Sequence, residues 1–404
     1  MSQQHTMSER RVLVSACALG IVGALTIFIA PGFLGLVADQ ARLGEAGAGY
    51  VISVDINTAA VAIAIATFLI TRINWPQLTY LAAGLIAIGS FATAQAHTES
   101  ALIAARVCAG SGEGLAIGVS FAALGQDRNP DRAFGVYLAV GLTVAAAILL
   151  VIPVLQPHIG TRPFFMAAGA AAVGAGALAS WLPTGGRAAS PTVSGLSAIH
   201  WRLAIAGLLG VFLYFLAQGA VWSYFGEIGA ASHVAPALIG RALAISSIAG
   251  IGGALLAVVV CTRSERGLPL VASAAVSVAS FVLLLGHISG IAFVVSGILF
   301  NAAWNFSMPF LSGICSAADA RGRIVCSMGC IQTVGTGLGP AAAATLLGRN
   351  GFSSVLWMSV AVVVLSMAVV LAGLRATSPP SGDDLSAIAP LSSQSKAHSH
   401  EPTS

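Results

Sequence analysis

Charge is what this chain has least of. Only 8% of its 404 residues are Asp, Glu, Lys or Arg, and 57% are hydrophobic. A soluble domain carries roughly 25% charged residues, so a water-soluble fold is excluded, in line with a mean hydropathy of +0.91. Lysine is nearly missing: of 18 basic residues, all are Arg except Lys396. The formal charge of +4 does not read as affinity for nucleic acid, because almost all of it lies at the ends of apolar runs. Cysteine is sparse as well. Cys17, Cys108, Cys261, Cys315, Cys326 and Cys330 all fall in or beside those runs, which argues against a disulfide framework and makes them small buried hydrophobes. Cys326 and Cys330 stand one helical turn apart and could share a metal, but neither a metal site nor a cofactor is expected. Also missing are His-Glu-x-x-His, Gly-x-Ser-x-Gly, paired intramembrane aspartates and an ATP-binding loop. An enzyme and a primary pump are therefore not expected.

What the chain does have is apolar length. A helix needs about 20 apolar residues to cross the ~30 Å hydrocarbon core. Twelve segments qualify: 12–37, 46–70, 78–95, 101–124, 133–154, 163–182, 201–225, 237–260, 268–287, 290–312, 324–347 and 352–374. The polar start, residues 1–11, precedes a run too long for a signal-peptide core, so the first span is expected to be retained. A Pro-, Gly- and Ser-rich connector at 183–200 divides the spans six and six. The expected organisation is one all-α bundle over 12–182, a cytoplasmic linker at 183–200 and a second bundle over 201–374. The Ser/Pro-rich tail at 375–404 is expected to be disordered and cytoplasmic, with His398 and His400 solvated.

The basic residues set the orientation. With the N-terminus inside, thirteen of them face the cytoplasm and only Arg42, Arg162, Arg241 and Arg349 face out. Both termini are then cytoplasmic. The halves also repeat: Arg11 and Arg202 are 191 residues apart, as are Arg72 and Arg263, and Arg132 and Arg323. Each pair holds the same place in its half, which points to two related bundles in parallel orientation.

The fourth span carries Arg106-x-x-x-Gly110-x-Gly112. Together with twelve spans and a linker after the sixth, that motif resembles the major facilitator superfamily over residues 12–374. The resemblance implies a substrate cavity between the two bundles at mid-depth, and in the family this arginine is associated with proton coupling. The chain departs from the family elsewhere. Thr67 to Pro76 keeps only Arg72 of the basic loop between spans two and three. Gly141 to Pro153 lacks the Gly-x-x-x-Gly-Pro of drug antiporters, although Gly335-x-x-x-Gly339-Pro340 stands on the eleventh span. There is no Asp-Gly-x-Asp in the first span.

The residues that could carry chemistry are the charges inside spans. An ionisable group at membrane depth costs at least ~2.5–3.5 kcal/mol, so it is usually paired and functional. At ~1.5 Å per residue, Glu113 lies ~18 Å along its span from the outer end, Arg106 ~8 Å and Asp55 on the second span ~14 Å. Positions 106, 110, 113, 114 and 117 share one helix face. Burial raises a carboxylate's pKa and a nearby cation lowers it. Glu113 therefore reads as a proton-coupling site or a substrate contact, or else as a carboxylate bound permanently to Arg106 or to polar groups on another helix. Asp55 could pair with Arg106 or line the cavity. The glycines at 110, 114 and 118 form a small-x-x-x-small ridge suited to close helix packing.

The second half offers amides and aromatics instead. At the 191 offset Gly110, Glu113 and Gly114 map to Asn301, Trp304 and Asn305. On the seventh span Tyr214, Gln218 and Trp222 follow i, i+4, i+8. These could hydrogen-bond and stack on a solute, or serve as core aromatics and interhelical hydrogen bonds. Tyr137, Thr333 and Thr336 are weaker candidates, and Asp39, Glu45 and Glu227 read as solvated outer-surface groups. The expected function is proton-coupled secondary active transport of a small organic solute across the plasma (inner) membrane, with uptake favoured. Efflux by antiport is the alternative, and a non-transporting solute sensor is a further one. The expected partners are the lipid bilayer, protons and the solute, with the chain acting as a monomer.

Overall fold

The computed structural model describes residues 2–183, 199–261, 267–286, 288–319 and 323–375. Most of the expected linker and tail lies outside them. Among the described residues thirteen α-helices follow one another: α1 (Ser2–Phe28), α2 (Ala30–Gln40), α3 (Glu45–Leu69), α4 (Trp75–Gln95), α5 (Glu99–Leu124), α6 (Pro130–Ile159), α7 (Arg162–Ala177), α8 (Trp201–Ala231), α9 (Pro236–Cys261), α10 (Gly267–Val282), α11 (Gly290–Ala318), α12 (Arg323–Asn350) and α13 (Phe352–Arg375). Ten helical stretches are long and apolar enough to cross a membrane, α10 is a shorter apolar helix, and α12, 28 residues long but less apolar, supplies the remaining pass. With α1 and α2 forming one broken span, the chain makes twelve passes. The fold is an all-α membrane architecture.

Local chemistry punctuates these helices. Thr98, Asn129 and Ser289 each accept a hydrogen bond from the backbone N–H three residues on, capping α5, α6 and α11. Proline occupies the first turn of α2, α4, α6 and α7, where its missing N–H costs nothing.

The first span was expected to run unbroken over 12–37, and it does not. The helix ends at Phe28 and restarts at Ala30, with Pro31 in the new first turn. Proline has no N–H to give to the carbonyl four residues back, which here is Ile27. That carbonyl is taken by the indole of Trp222, whose Nε1 donates to Ile27 O at 3.1 Å. The break in one bundle is thus completed by a side chain from the other.

Two six-helix bundles result. In the first, α5 is the central element, packed on α1, α3 and α4, with α7 against α4. In the second, α8 packs on α12 and α13, while α11 packs on α9 and α10. The bundles meet through α3 on α12, α6 on α9 and α2 on α8. The first two contacts are the same contact under a pseudo-two-fold: span two on span eleven, and span five on span eight. Outward-facing positions such as Val151, Leu255, Val258 and Ile291 are exposed and apolar, as a lipid-facing surface requires.

Candidate functional site

The intramembrane charges converge. Arg106 Nη2 donates to Asp55 Oδ2 at 2.7 Å and to Glu113 Oε1 at 2.7 Å. Thr26 of α1 adds its hydroxyl to Glu113 Oε1 at 3.1 Å and lies 3.4 Å from Arg106 Nη2. Arg106, Asp55 and Glu113 are all buried. Three elements therefore meet at one guanidinium: α3 through Asp55, α5 through Arg106 and Glu113, and α1 through Thr26. The ring of Phe33, from α2, covers the guanidinium with its centroid 4.9 Å from Cζ.

Glycine makes the convergence possible. A Cβ on Gly110 would sit 2.5 Å from the Asp55 carbonyl oxygen and 3.0 Å from Asp55 Oδ1. Any larger residue there would push α3 away and carry Asp55 out of reach of Arg106. The next ridge positions, Gly114 and Gly118, abut Ala59 and Ala66 of the same helix. The ridge seats α5 against α3.

With both carboxylates ionised and Arg106 charged, the cluster carries one net negative charge. Its hydrogen bonding is incomplete. Asp55 Oδ1 and Arg106 Nε have no partner among the described residues, and one guanidinium nitrogen makes all the contacts to acidic groups. A buried ion pair is stable only when its remaining groups are satisfied. A cluster one hydrogen bond short on each side has room to rearrange on gaining a proton.

Beside the cluster lies a cavity of about 270 Å³ wholly within the first bundle. Arg106, Glu113, Thr26 and Ser90 form its polar wall, and Val22, Ile86, Ile148, Ile152, Phe164 and Ala171 are among its apolar residues. A second cavity of about 590 Å³ opens between the bundles at the end opposite the termini, bordered by Asp39, Glu45 and Glu227. Asp39 and Glu45 are exposed, and Asp39 Oδ2 accepts from Gln156 Nε2 at 2.6 Å, whereas Glu227 is half-buried.

The candidates of the second half occupy a packed interior. Trp222 stacks on Phe300 with centroids 5.8 Å apart and planes 12° apart. Trp304 meets Phe215, Trp222 and Phe300 edge-on. Tyr214 and Gln218 are fully buried. Gln218 Nε2 donates to Ser277 Oγ at 3.3 Å, the Tyr214 hydroxyl lies 3.4 Å from that oxygen, and Gln218 Oε1 has no partner among the described residues. Asn301 donates to Ser246 Oγ at 3.3 Å, and Asn305 donates back to the Asn301 carbonyl at 3.0 Å. Asn305, Trp304 and Thr333 are half-buried, and Thr336 is buried. Tyr137 stands apart from all of these in the first bundle, with its hydroxyl 3.5 Å from Gly20 O and its ring against Phe121.

Solved structures of the same architecture include a D-xylose–proton symporter, the xylose transporter XylE from E. coli in a partially occluded inward-open conformation, and the nucleoside transporter NupG. The first is 16% identical with a TM-score of 0.67, covering 90% of this chain and 96% of that one. XylE is 13% identical at a TM-score of 0.72, covering 90% and 99%. NupG is 13% identical at 0.70, covering 91% and 100%. The chain has the fold of these transporters. It is the fold implied by the resemblance to the major facilitator superfamily, and it extends over almost the full length of each neighbour. No protein-family model matches the chain, and no curated protein matches it in sequence.

Two members of the site escaped the sequence reading. Thr26 is a lone hydroxyl in an apolar run, and such residues usually bond their own helix, so nothing local marks it. Phe33 looks like one more core aromatic until the break at Pro31 turns it towards Arg106. Cys326 lies outside the described side chains.

Proposed function

We propose that this protein is a proton-coupled secondary active transporter of a small organic solute, working by alternating access of its two bundles. The observation that carries the reading is the buried bridge of Asp55, Arg106 and Glu113, set at mid-membrane in a transporter fold. Unprotonated, the cluster holds a net negative charge away from water, which is costly in hydrocarbon. A proton on Glu113 makes it neutral and frees Arg106 from one of its two acidic partners.

The broken first span supports a route from that proton to the rest of the molecule. Thr26 touches Glu113, and the adjacent residue, Ile27, accepts the hydrogen bond of Trp222 from the other bundle. Tyr224 makes a second inter-bundle bond on the same side, to the Glu45 carbonyl at 3.0 Å. In this reading, proton loading at Glu113 biases the packing of the first span against α8, and the bundles rock about the cluster. Solute recognition falls to Trp304, Asn305 and Asn301 at the inner faces of the bundles, with Tyr214, Gln218 and Trp222 behind them and Tyr137 a minor contributor. The chain sits in the plasma (inner) membrane with both termini cytoplasmic and functions as a monomer. Uptake is the favoured direction.

The test is transport by purified protein in proteoliposomes. D-xylose and uridine are the first solutes to try, because solved neighbours of this fold are named for xylose and for nucleosides. An inward proton gradient should drive accumulation by the wild type. Glu113→Gln should keep solute counterflow and lose gradient-driven accumulation. An unchanged pH dependence in that variant would overturn the coupling role.

A further inference from the structure

The second bundle buries a polar knot of its own. Helix α10 packs on α11 and α13 but not closely on α8. The long side chains of Tyr214 and Gln218 cross that gap from α8 and end among small serines. Ser273 and Ser277 of α10 and Ser307 of α11 stand around the Tyr214 hydroxyl, as does the Gln218 amide. All five side chains are buried.

The hydrogen bonding of this knot falls short in a particular way. Ser273 and Ser307 donate to carbonyls of their own helices, Leu270 O at 3.3 Å and Trp304 O at 2.8 Å, which leaves their oxygen lone pairs free. The contacts between helices are stretched. Tyr214 Oη lies 3.4 Å from both Ser277 Oγ and Ala303 O, and Gln218 Nε2 lies 3.3 Å from Ser277 Oγ. A direct O–H···O bond closes to about 2.7–2.8 Å. Gln218 Oε1 has no partner among the described residues, and turning the amide over would only pass the deficit to Nε2. Oxygens so spaced bond one another poorly and suit the edges of a shell around an ion. An octahedral shell with 3.4 Å edges has its centre about 2.4 Å from each oxygen, within the ~2.3–2.6 Å of a Ca²⁺-sized ion and beyond the ~2.1 Å of Mg²⁺.

We propose that this knot binds one Na⁺, an ion of nearly the size of Ca²⁺, through Gln218 Oε1, the hydroxyl oxygens of Tyr214, Ser273, Ser277 and Ser307, and Ala303 O. The neutral oxygens take the place of the ion's water, as carbonyls do in cation-selective filters. A divalent ion of that size would bring two charges to a shell without a carboxylate, and K⁺ is too large for it. A single positive charge in the second bundle is opposite in sign to the net charge of the Asp55, Arg106 and Glu113 cluster in the first, so the two attract through the low-dielectric interior. No His, Cys, Asp or Glu takes part, so nothing in the sequence marks a metal site here. The proposal does not rest on Glu113 as the proton site.

The experiment is binding of radiolabelled Na⁺ to the full chain in lipid nanodiscs, with thermal unfolding followed in NaCl, KCl and choline chloride at equal ionic strength. Binding should saturate at one Na⁺ per chain, and the unfolding temperature should climb with Na⁺ concentration. K⁺ should bind about tenfold more weakly or worse, and choline should be inert. Ser277→Ala and Gln218→Met each remove one oxygen with little change of shape. Losing a ligand worth a hydrogen bond to a charged group should weaken Na⁺ about tenfold or more. Glu113→Gln should change the affinity by no more than about threefold, since it acts only through the field. A loss there as large as that of Ser277→Ala would put the ion at the carboxylate cluster and overturn the proposal. Equal stabilisation by the three salts overturns it as well, and that comparison needs no variant to fold. So does Na⁺ binding indifferent to both Ser277→Ala and Gln218→Met, or a density map with an ordinary water at Gln218 Oε1 in saturating Na⁺.

Discussion

The two bundles are built on one plan and filled with different chemistry. At the centre of the first, a guanidinium holds two carboxylates and a hydroxyl. At the corresponding depth in the second, Asn301, Trp304 and Asn305 sit among Trp222, Phe300 and Phe215, with no charged group beside them among the described residues. The first bundle keeps ionised groups that can change state with one proton. The second keeps amides and rings whose state a proton does not alter. In the proposed function, response to a proton and recognition of a solute fall to different halves, provided something connects them. Here the connection is the broken first span, with Thr26 on the cluster and Ile27 on Trp222.

The sharpest way to break this contrast is to remove the cation. Arg106→Ala leaves two buried carboxylates facing one another and should cost about 3–5 kcal/mol of stability. Thermal unfolding in detergent reads the loss, and adding Asp55→Asn and Glu113→Gln should recover most of it. If Arg106→Ala alone were neutral, the cluster would not be buried as described. Next in size is Trp304→Ala in the second bundle, at about 3 kcal/mol, the low end for a large-to-small interior change because the ring is half-buried. It should weaken solute binding and leave the pH dependence of transport where it was. A shifted pH profile would mean that the halves do not divide the work.

The smallest effect tests the link between them. Trp222→Phe keeps the ring stack and loses the bond to Ile27 O, at about 1 kcal/mol. In a Pro31→Ala background the helix can supply its own N–H to that carbonyl, so the same substitution should cost measurably less. A double-mutant cycle on thermal stability reads the difference, and additivity of the two changes would sever the link.

Much of the fold was legible beforehand because apolar length is a local property. The runs that cross the membrane needed no knowledge of the partner helices. The intramembrane charges were legible too, since a carboxylate in hydrocarbon stands out in any window. The break at Ile29 was not, because an apolar run continues through Pro31 without a change in hydropathy. Nor was the role of Trp222. Its spacing from Tyr214 and Gln218 places it on one face, but only the missing N–H of Pro31, on another helix, gives the indole something to hold.

The sequence by itself determined that this is a twelve-pass helical membrane protein with its rare charges concentrated on spans two and four. Transfer energy out of water acts on each residue according to its own chemistry, wherever its neighbours are. Tertiary structure alone decided that Asp55, Arg106, Glu113 and Thr26 share one point, and that the cavity beside them lies inside a bundle rather than between the two. Both depend on how closely α3, α5, α6 and α7 approach one another. Those distances are set by glycines and small side chains packing across helices, which no single stretch of chain contains.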